Sequence, residues 1–384
     1  MCSHHLYNPN SGAAGVDNRL AEALISLGLK VKLVFYDDVY SNKIAHSKWA
    51  THLFPFKMAQ YFLNEHKKNK FDIVEATAGD FWLANVLLNN KNNYNRNFMK
   101  VVSTHGLEHF HLTVNNQTRN AEGKNFKKPY NIYYNLYYKN FKLWQVKQDL
   151  MQADVAIVHN SLDKRFASLI VGVNSKKINV IPWGINDNLF LYANNLKMVR
   201  NDNLLFNLIF LGRWDKDKGV HLLPQIVDKL FETDHRYRLT CAGLGDHITE
   251  DEVLAYFPIQ YRSRINIISQ YDNDKLQNIL SQHGILIFPS VAEGFGMVIA
   301  EAMSCGLVII TTRVGLVIDW IKNEENGFIV KRRDADSYVE MIKYAVNQPE
   351  LAYKIRQKAH KTALHFNWKK IAEERIKIYE NYFQ

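Results

Sequence analysis

The stretch Ile285 to Thr312, ILIFPSVAEGFGMVIAEAMSCGLVIITT, most constrains what this chain can fold into. It opens on the apolar run Ile285–Phe288, short enough for a buried parallel strand, and Pro289 and Ser290 stop it. A loop over 291–296 then holds Glu293 among small residues. Met297 to Cys305 reads as a short buried helix containing Glu301, and Gly306 stands where a helix C-cap glycine belongs. Leu307–Ile310 is the next apolar strand. The pattern is a βαβ unit with two carboxylates beyond the C-terminal end of its first strand, the end at which open α/β sheets bind ligands. Two glutamates at this spacing are weak evidence alone, because a surface acid and a capping group would give the same pair. The apolar flanks of Glu301 add weight, since a carboxylate in that setting needs partners to offset its desolvation.

The same strand-then-polar-loop pattern recurs around it. With 384 residues the chain exceeds one typical core, and two domains are expected. Leu204–Leu211 reads as a strand, followed by the loop GRWDKDKG, Gly212 to Gly219, and a helix from Val220. Arg213 and Lys218 flank that loop, and two cations beside helix N–H groups suit a diphosphate. Leu239–Ala242 is a strand ending in Gly243-Leu244-Gly245, Asn266–Ser269 is another, and Thr312 to Gly315 is a further strand-tip turn. The C-terminal half therefore reads as a complete, doubly wound parallel sheet.

The N-terminal half begins with a turn-rich loop, NSGAAG, from Asn10 to Gly15. Val16, Leu20, Ala23, Leu24 and Leu27 follow at helical spacing, Gly28 ends the helix, and Val31–Phe35 reads as a strand. Glycines before a helix let backbone N–H groups approach a ligand, although a plain tight turn has the same composition. Phe71–Ala76, Val101–Thr104, Ala153–Val158 and Ile178–Ile181 read as further strands. The second ends in His105-Gly106, an imidazole at a strand tip that either donates to a ligand or is satisfied by loop backbone. A Rossmann-like domain has a buried strand ahead of its first helix, yet MCSHHLYNPNS is not strand-like. The first N-terminal strand is expected to be missing, with Met1 a start placed too late. The asparagine-rich 186–203 segment reads as the domain linker.

Charge and cysteines bound the partners. Residues 1–190 carry 23 basic and 14 acidic side chains, so nearly all of the net +10 lies in the first half. That excess is either ordinary surface lysine or a face drawn to an anionic membrane or acidic acceptor. Within it, Tyr130, Tyr133, Tyr134, Tyr137, Tyr138, Phe141 and Trp144 fall along one helical face, as core or as a surface for lipid headgroups or acceptor sugars. No nucleic acid is expected, because no recognition motif accompanies the charge. The three cysteines suit a reducing cytosol, no His, Cys and carboxylate group shows metal-ligand spacing, and no apolar run is long enough to span a membrane. The start lacks the basic and apolar regions of a secretory signal.

Taken together, PSVAEGFGMVIAEAMSCG resembles the E-x7-E signature of the retaining, nucleotide-sugar-dependent glycosyltransferases of family 4, which have the GT-B fold. GRWDKDKG resembles that family's G-R-x-x-x-x-K-G loop, CAGLGD its A-G-x-G turn and VIPWGIND its I-P-N-G-V-D segment. FNWKKIAEERIKIYENYF resembles its terminal helix. The resemblance implies two Rossmann-like domains, 1–190 on the acceptor side and 191–365 binding the nucleotide sugar, with a helix over 366–384 crossing back. It implies that Glu301 holds the ribose hydroxyls and Glu293 the donor sugar, assisted by Gly294 and the N–H groups of Phe295 and Gly296. Arg213 and Lys218 would neutralise the leaving diphosphate without a metal, with Gly212 and Gly243 in the donor-side turns. His105 would lie near the sugar's reactive face, and Gly12 and Gly15 would let their loop approach the phosphates.

The implied activity is transfer of a hexose from a UDP- or GDP-linked sugar to a glycan or glycolipid acceptor, with retention. The implied setting is cell-envelope or lipopolysaccharide synthesis, in the cytoplasm and peripherally at an anionic membrane. No cofactor is implied. A non-catalytic sugar-nucleotide-binding partner and another GT-B enzyme, such as an epimerase, are the alternatives. The sequence departs from the family pattern at Trp183, Val314, Asp319 and His159-Asn160-Ser161.

Overall fold

The computed structural model describes residues 1–3, 12–40, 48–89, 98–110 and 138–384. They divide into two units, Met1–Pro182 with Trp368–Gln384, and Trp183–Asn367.

In the first unit, helix α1 (Gly12–Ser26) buries Val16, Leu20, Ala23 and Leu24. Gly12 and Gly15, read above as loop, form the first turn of that helix. Asn10 and Ser11 lie outside the described residues. Helix α2 (Lys48–Lys68) precedes β1 (Ile73–Thr77), α3 (Trp82–Asn89) and β2 (Met99–Ser103). Helix α4 (Leu143–Gln152), β3 (Val155–Val158) and β4 (Ile178–Val180) follow, and the strands pair in parallel in the order β1-β2-β3-β4.

The first three residues correct the expectation of a missing strand. Cys2 bridges in parallel to Val34 on one side and Ala76 on the other. Cys2 N donates to Glu75 O at 2.9 Å, Thr77 N to Cys2 O at 3.1 Å, and Val34 N to Met1 O at 2.9 Å. Met1–Ser3 therefore sit in a strand position between Val34 and β1. The expected strand over 31–35 is reduced to the single bridge at Val34.

A buried ion pair fixes the turn after β1. Lys100 and Asp149 are both fully buried, with Nζ 2.5 Å from Oδ1. The other oxygen, Asp149 Oδ2, accepts from Gly79 N at 2.9 Å and Phe81 N at 3.0 Å. Two buried charges are retained here because the carboxylate is also hydrogen-bonded on its second oxygen.

In the second unit, α5 (Asp187–Asn195) and β5 (Asn207–Leu211) are followed by α6 (Leu223–Phe231), β6 (Arg238–Ala242), β7 (Ile265–Ile268) and β8 (Ile285–Phe288). Helix α7 (Met297–Ser304), β9 (Val308–Thr311), β10 (Phe328–Ile329), α8 (Ala335–Asn347) and α9 (Pro349–Ala363) complete it. The sheet is parallel, in the order β10-β9-β8-β5-β6-β7. Its central strands β8 and β9 are buried throughout, which explains their unbroken apolar runs. The reversal of strand order at β5 and β8 is the switch point at which such sheets bind ligands.

The 186–203 segment is not an open linker. Asn186 caps α5, its side chain accepting from Asn188 N at 2.8 Å, and Leu189 and Ala193 are buried. Asn201 caps a one-turn helix over Asp202–Phe206 in the same way. Asparagine is as common at helix caps as in loops, and here the caps dominate. The last helix, α10 (Trp368–Phe383), belongs to the first unit, where it packs on α1 and buries Trp368, Ile371, Ala372, Arg375 and Tyr379 along one face. Of the aromatic stripe, residues 130–137 lie outside the described residues. Phe141 stacks on Trp144, which is exposed and also meets Trp82 edge-on.

Candidate active site

In the second unit, the four loops after β5, β6, β8 and β9 interlock. The β5 loop carries Gly212, Arg213 and Lys218 and ends at Gly219, whose φ is +73°. A Cβ at Gly219 would stand 2.1 Å from Pro289 O, so only glycine lets the β5 loop press against the end of β8. Val291 N donates to Asp217 O at 2.9 Å, and Ser290 Oγ reaches the same carbonyl at 3.2 Å. On the other side of β8, Leu316 N donates to Phe295 O at 2.6 Å, and a Cβ on Gly315 would lie 2.3 Å from that oxygen. Gly315 thus fills its structural role although Val314 replaces a preceding glycine. The β5 and β6 loops are joined by Gly212 N to Ala242 O and Trp214 N to Leu244 O, each 2.9 Å.

This framework holds Glu293 beside Lys218. Lys218 Nζ lies 2.7 Å from Glu293 Oε1, and the two side chains are 20% and 12% exposed. Ser290 Oγ donates to the same oxygen at 2.7 Å. Burial lowers the Lys218 pKa, but the charge and hydrogen bond of Glu293, with Asp217 nearby, more than offset it, and the net shift is upward. Lys218 is therefore a cation already matched to a carboxylate. Arg213 is exposed and held 2.9 Å from Asp215, which His247 Nε2 also approaches at 3.3 Å.

Gly294, Phe295 and Gly296 form the turn into α7, with Gly296 left-handed at its N-cap. Glu301 lies one and a half turns further on, beside the buried Ala300 and Ala302. Tyr271, beyond β7, was not singled out from the sequence. A Cβ at Gly243 would meet its Cε1 at 2.9 Å, so Gly243 makes room for this ring. Burial, then the charge of Glu301, raises the Tyr271 pKa. Arg213, Lys218, Glu293, Glu301, Gly212, Gly243 and the Gly294–Gly296 turn are thus gathered at the C-terminal ends of β5, β6 and β8.

In the first unit His105 stands at the tip of β2, its Nε2 3.4 Å from Asp17 Oδ2 on α1. Burial lowers its pKa, the charge and hydrogen bond of Asp17 raise it, Asp80 adds to the rise, Arg375 opposes it, and the net direction is up. His159, in the His159-Asn160-Ser161 segment that departs from the family pattern, has a structural task. Its ring lies between the carbonyls of Thr104 and Ile181, one of which accepts the single N–H that a neutral imidazole offers, and burial pushes its pKa down to about 3. Asn160 caps the following helix by accepting from Asp163 N.

Sequence reasoning missed Ser290, Asp17 and Tyr271. Asp17 and Tyr271 meet His105 and Glu301 far along the chain, whereas Ser290, only three positions before Glu293, reads equally well as the residue that stops its strand. Among the described residues no group of three His, Cys, Asp or Glu side chains could hold a metal ion. No described helix is long and apolar enough to cross a membrane.

Two parallel sheets wound by helices, with acidic and cationic loops at the strand tips of the second, have the layout of the GT-B fold. Residues 200–362 match the family model of the glycosyl transferases group 1, the family to which this segment belongs. The capsular polysaccharide biosynthesis glycosyltransferase CapM of Staphylococcus aureus is 27% identical over 56% of this chain and 58% of its own length. Two uncharacterized glycosyltransferases of Methanocaldococcus jannaschii are each 25% identical, over 59% and 63% of this chain. The chain spans 66% and 60% of their respective lengths. Among solved structures, sucrose-phosphate synthase of Thermosynechococcus elongatus superposes with a TM-score of 0.73 at 21% identity, over 100% of this chain and 98% of that one. Anabaena HepE in complex with UDP gives 0.66 at 14% identity, over 99% of each chain. At these identities the likeness is one of fold.

Proposed function

We propose that this chain transfers a hexose from a UDP- or GDP-linked sugar to a glycan or glycolipid acceptor, with retention at the anomeric carbon and without a metal. The observation that carries the reading is the Lys218–Glu293 pair at 2.7 Å on interlocked loops, with Glu301 on the helix that follows. Glu301 would accept from the ribose hydroxyls and Glu293 from the sugar hydroxyls. Arg213 and Lys218 would stabilise negative charge developing on the leaving diphosphate, while the N–H groups of Phe295 and Gly296 assist. Pre-placed donors aimed at developing charge are usually the largest catalytic term. His105 would donate to the sugar from the first unit, and the leaving phosphate would take the acceptor proton in a front-face attack. Gly12 and Gly15, in the first turn of α1, would allow phosphate to approach its N-terminal N–H groups.

The HepE–UDP structure and CapM's name support a nucleotide donor and a polysaccharide or glycolipid product, in the cell envelope. The basic excess of residues 1–190 supports work at an anionic membrane surface from the cytoplasmic side. The test is to incubate the protein with a panel of nucleotide sugars, with and without membrane extract, and to follow nucleotide release. Release that depends on extract supports the reading. Binding without turnover supports a non-catalytic partner, and an epimerised sugar nucleotide without transfer supports an epimerase.

A further inference from the structure

We infer that Ser290, Glu293 and Lys218 form an exchange relay that makes this site prefer the intact nucleotide sugar over the bare nucleoside diphosphate. The inference rests on the donor-binding reading above and assigns the site a discrimination that reading does not contain.

One oxygen of Glu293, Oε1, takes both strong donors, Lys218 Nζ and Ser290 Oγ, each at 2.7 Å. The two donors differ in kind. Ser290 is fully buried and stands directly after β8, where Thr312 Oγ1 donates to its carbonyl oxygen, so it is a fixed anchor. Of the acceptors around its hydroxyl, Asp217 O and Ala292 O are at 3.2 Å, so the hydrogen is best spent on Glu293. Lys218 ends a flexible four-carbon stem and can turn to another anion. Ser290 therefore holds the carboxylate in place while Lys218 is exchangeable.

A diphosphate entering beside Lys218 competes with Glu293 for it. Glu293 is largely buried, and a buried carboxylate that loses its cation is left poorly compensated. Sugar hydroxyls can restore the balance by donating to Glu293, and a bare nucleoside diphosphate carries none at that end. The second cation does not remove the conflict, because Arg213 is itself engaged with Asp215. The intact donor thus satisfies both members of the pair, whereas the leaving nucleotide satisfies one and strands the other. Ser290 acts as a positioning residue, and the arrangement favours release of the spent nucleotide.

The test is calorimetric titration of the full chain with UDP, UDP-glucose, GDP and GDP-mannose. Wild type is expected to bind one nucleotide sugar more tightly than its nucleotide. Glu293→Gln keeps the shape and removes the charge. It is expected to bind the bare nucleotide about ten-fold more tightly, the worth of one partly buried charge interaction, and to lose the preference for the sugar form. Lys218→Gln should weaken the bare nucleotide more in the Glu293→Gln background than in wild type, because only there is the cation fully released. Ser290→Ala should narrow the sugar preference while leaving Lys218 in place. Unchanged or weaker nucleotide binding in Glu293→Gln, with the thermal transition intact, overturns the relay and leaves the donor-binding reading standing. Failure of wild type to bind any of the four ligands overturns both.

Discussion

Asp17 Oδ2 lies 3.4 Å from Nε2 of His105, joining the first helix of the N-terminal unit to the tip of its second strand. Burial opposes charge on the ring, yet the carboxylate, reinforced by Asp80, raises the His105 pKa, with Arg375 acting against it. Asp17→Asn should therefore lower it, as NMR titration of the His105 ring would show. Because the folded value is raised, the pair's stabilisation is complete below the ordinary histidine value and fades as pH rises through the folded one. If His105 must be protonated to donate to the sugar, the high-pH limb of kcat/KM should move to lower pH in Asp17→Asn. An unmoved ring pKa would show that Asp17 does not govern it.

Arg375 of α10 is fully buried beside Glu75 of β1, and Tyr379 donates to the other carboxylate oxygen at 2.7 Å. This cluster ties the last helix of the chain to the sheet of the first unit. Arg375→Met should destabilise that unit by about 3–5 kcal/mol, because it leaves Glu75 buried without its cation. The double variant Arg375→Met with Glu75→Leu should recover much of that loss, since an apolar pair strands no charge. Urea unfolding followed by hydrogen exchange of β1 amides measures both. Equal destabilisation in single and double variants would mean that packing, not charge, is what Arg375 supplies.

Gly219 and Gly28 separate two causes of glycine dependence. Both have positive φ, +73° and +94°, but a Cβ on Gly219 strikes Pro289 O, whereas one on Gly28 meets nothing within 4 Å. Gly28→Ala should cost only about 1–2 kcal/mol, the price of the left-handed conformation. Gly219→Ala should cost more by about 1–3 kcal/mol and should also weaken nucleotide binding, because the clash pushes the Lys218 loop off the end of β8. Denaturant melts of both variants, with calorimetry on the second, check the difference. Equal melts would show that the loop yields freely.

How much of this was legible in the sequence depended on whether the relevant partners were close in the chain. The β8–α7–β9 unit was readable because apolar runs bounded by Pro289 and Gly306 leave few alternatives. The edges were not. Three residues at the start cannot show a period, so only the pairing of Cys2 with Val34 and Ala76 reveals their strand position. The asparagines of the 186–203 segment were ambiguous because the same side chain terminates a loop or caps a helix. Within the site, Glu293 and Lys218 were both found, but their pairing was not, because Lys218 lies 75 positions away. Asp17 escaped because His105 lies far along the chain, and Ser290 because, three positions before Glu293, it reads equally well as the end of its strand.

Glu301 offers a test that separates binding from turnover. Its charge acts on Tyr271, whose ring fills the space left by Gly243, so the two report on one corner of the second unit. Burial is the larger cause of the raised Tyr271 pKa and the Glu301 charge the next. Glu301→Ala should lower that pKa, though not to its ordinary value, in tyrosine-selective NMR. If Glu301 also accepts from ribose hydroxyls, the same change should weaken nucleotide and nucleotide-sugar binding alike by about ten- to a hundred-fold, the worth of charge-assisted hydrogen bonds. If the exposed guanidinium of Arg213 meets charge that develops only as the diphosphate leaves, Arg213→Ala should lower kcat more than affinity. A shifted Tyr271 with unchanged nucleotide affinity would separate the two statements, keeping the electrostatic contact and removing the ribose role.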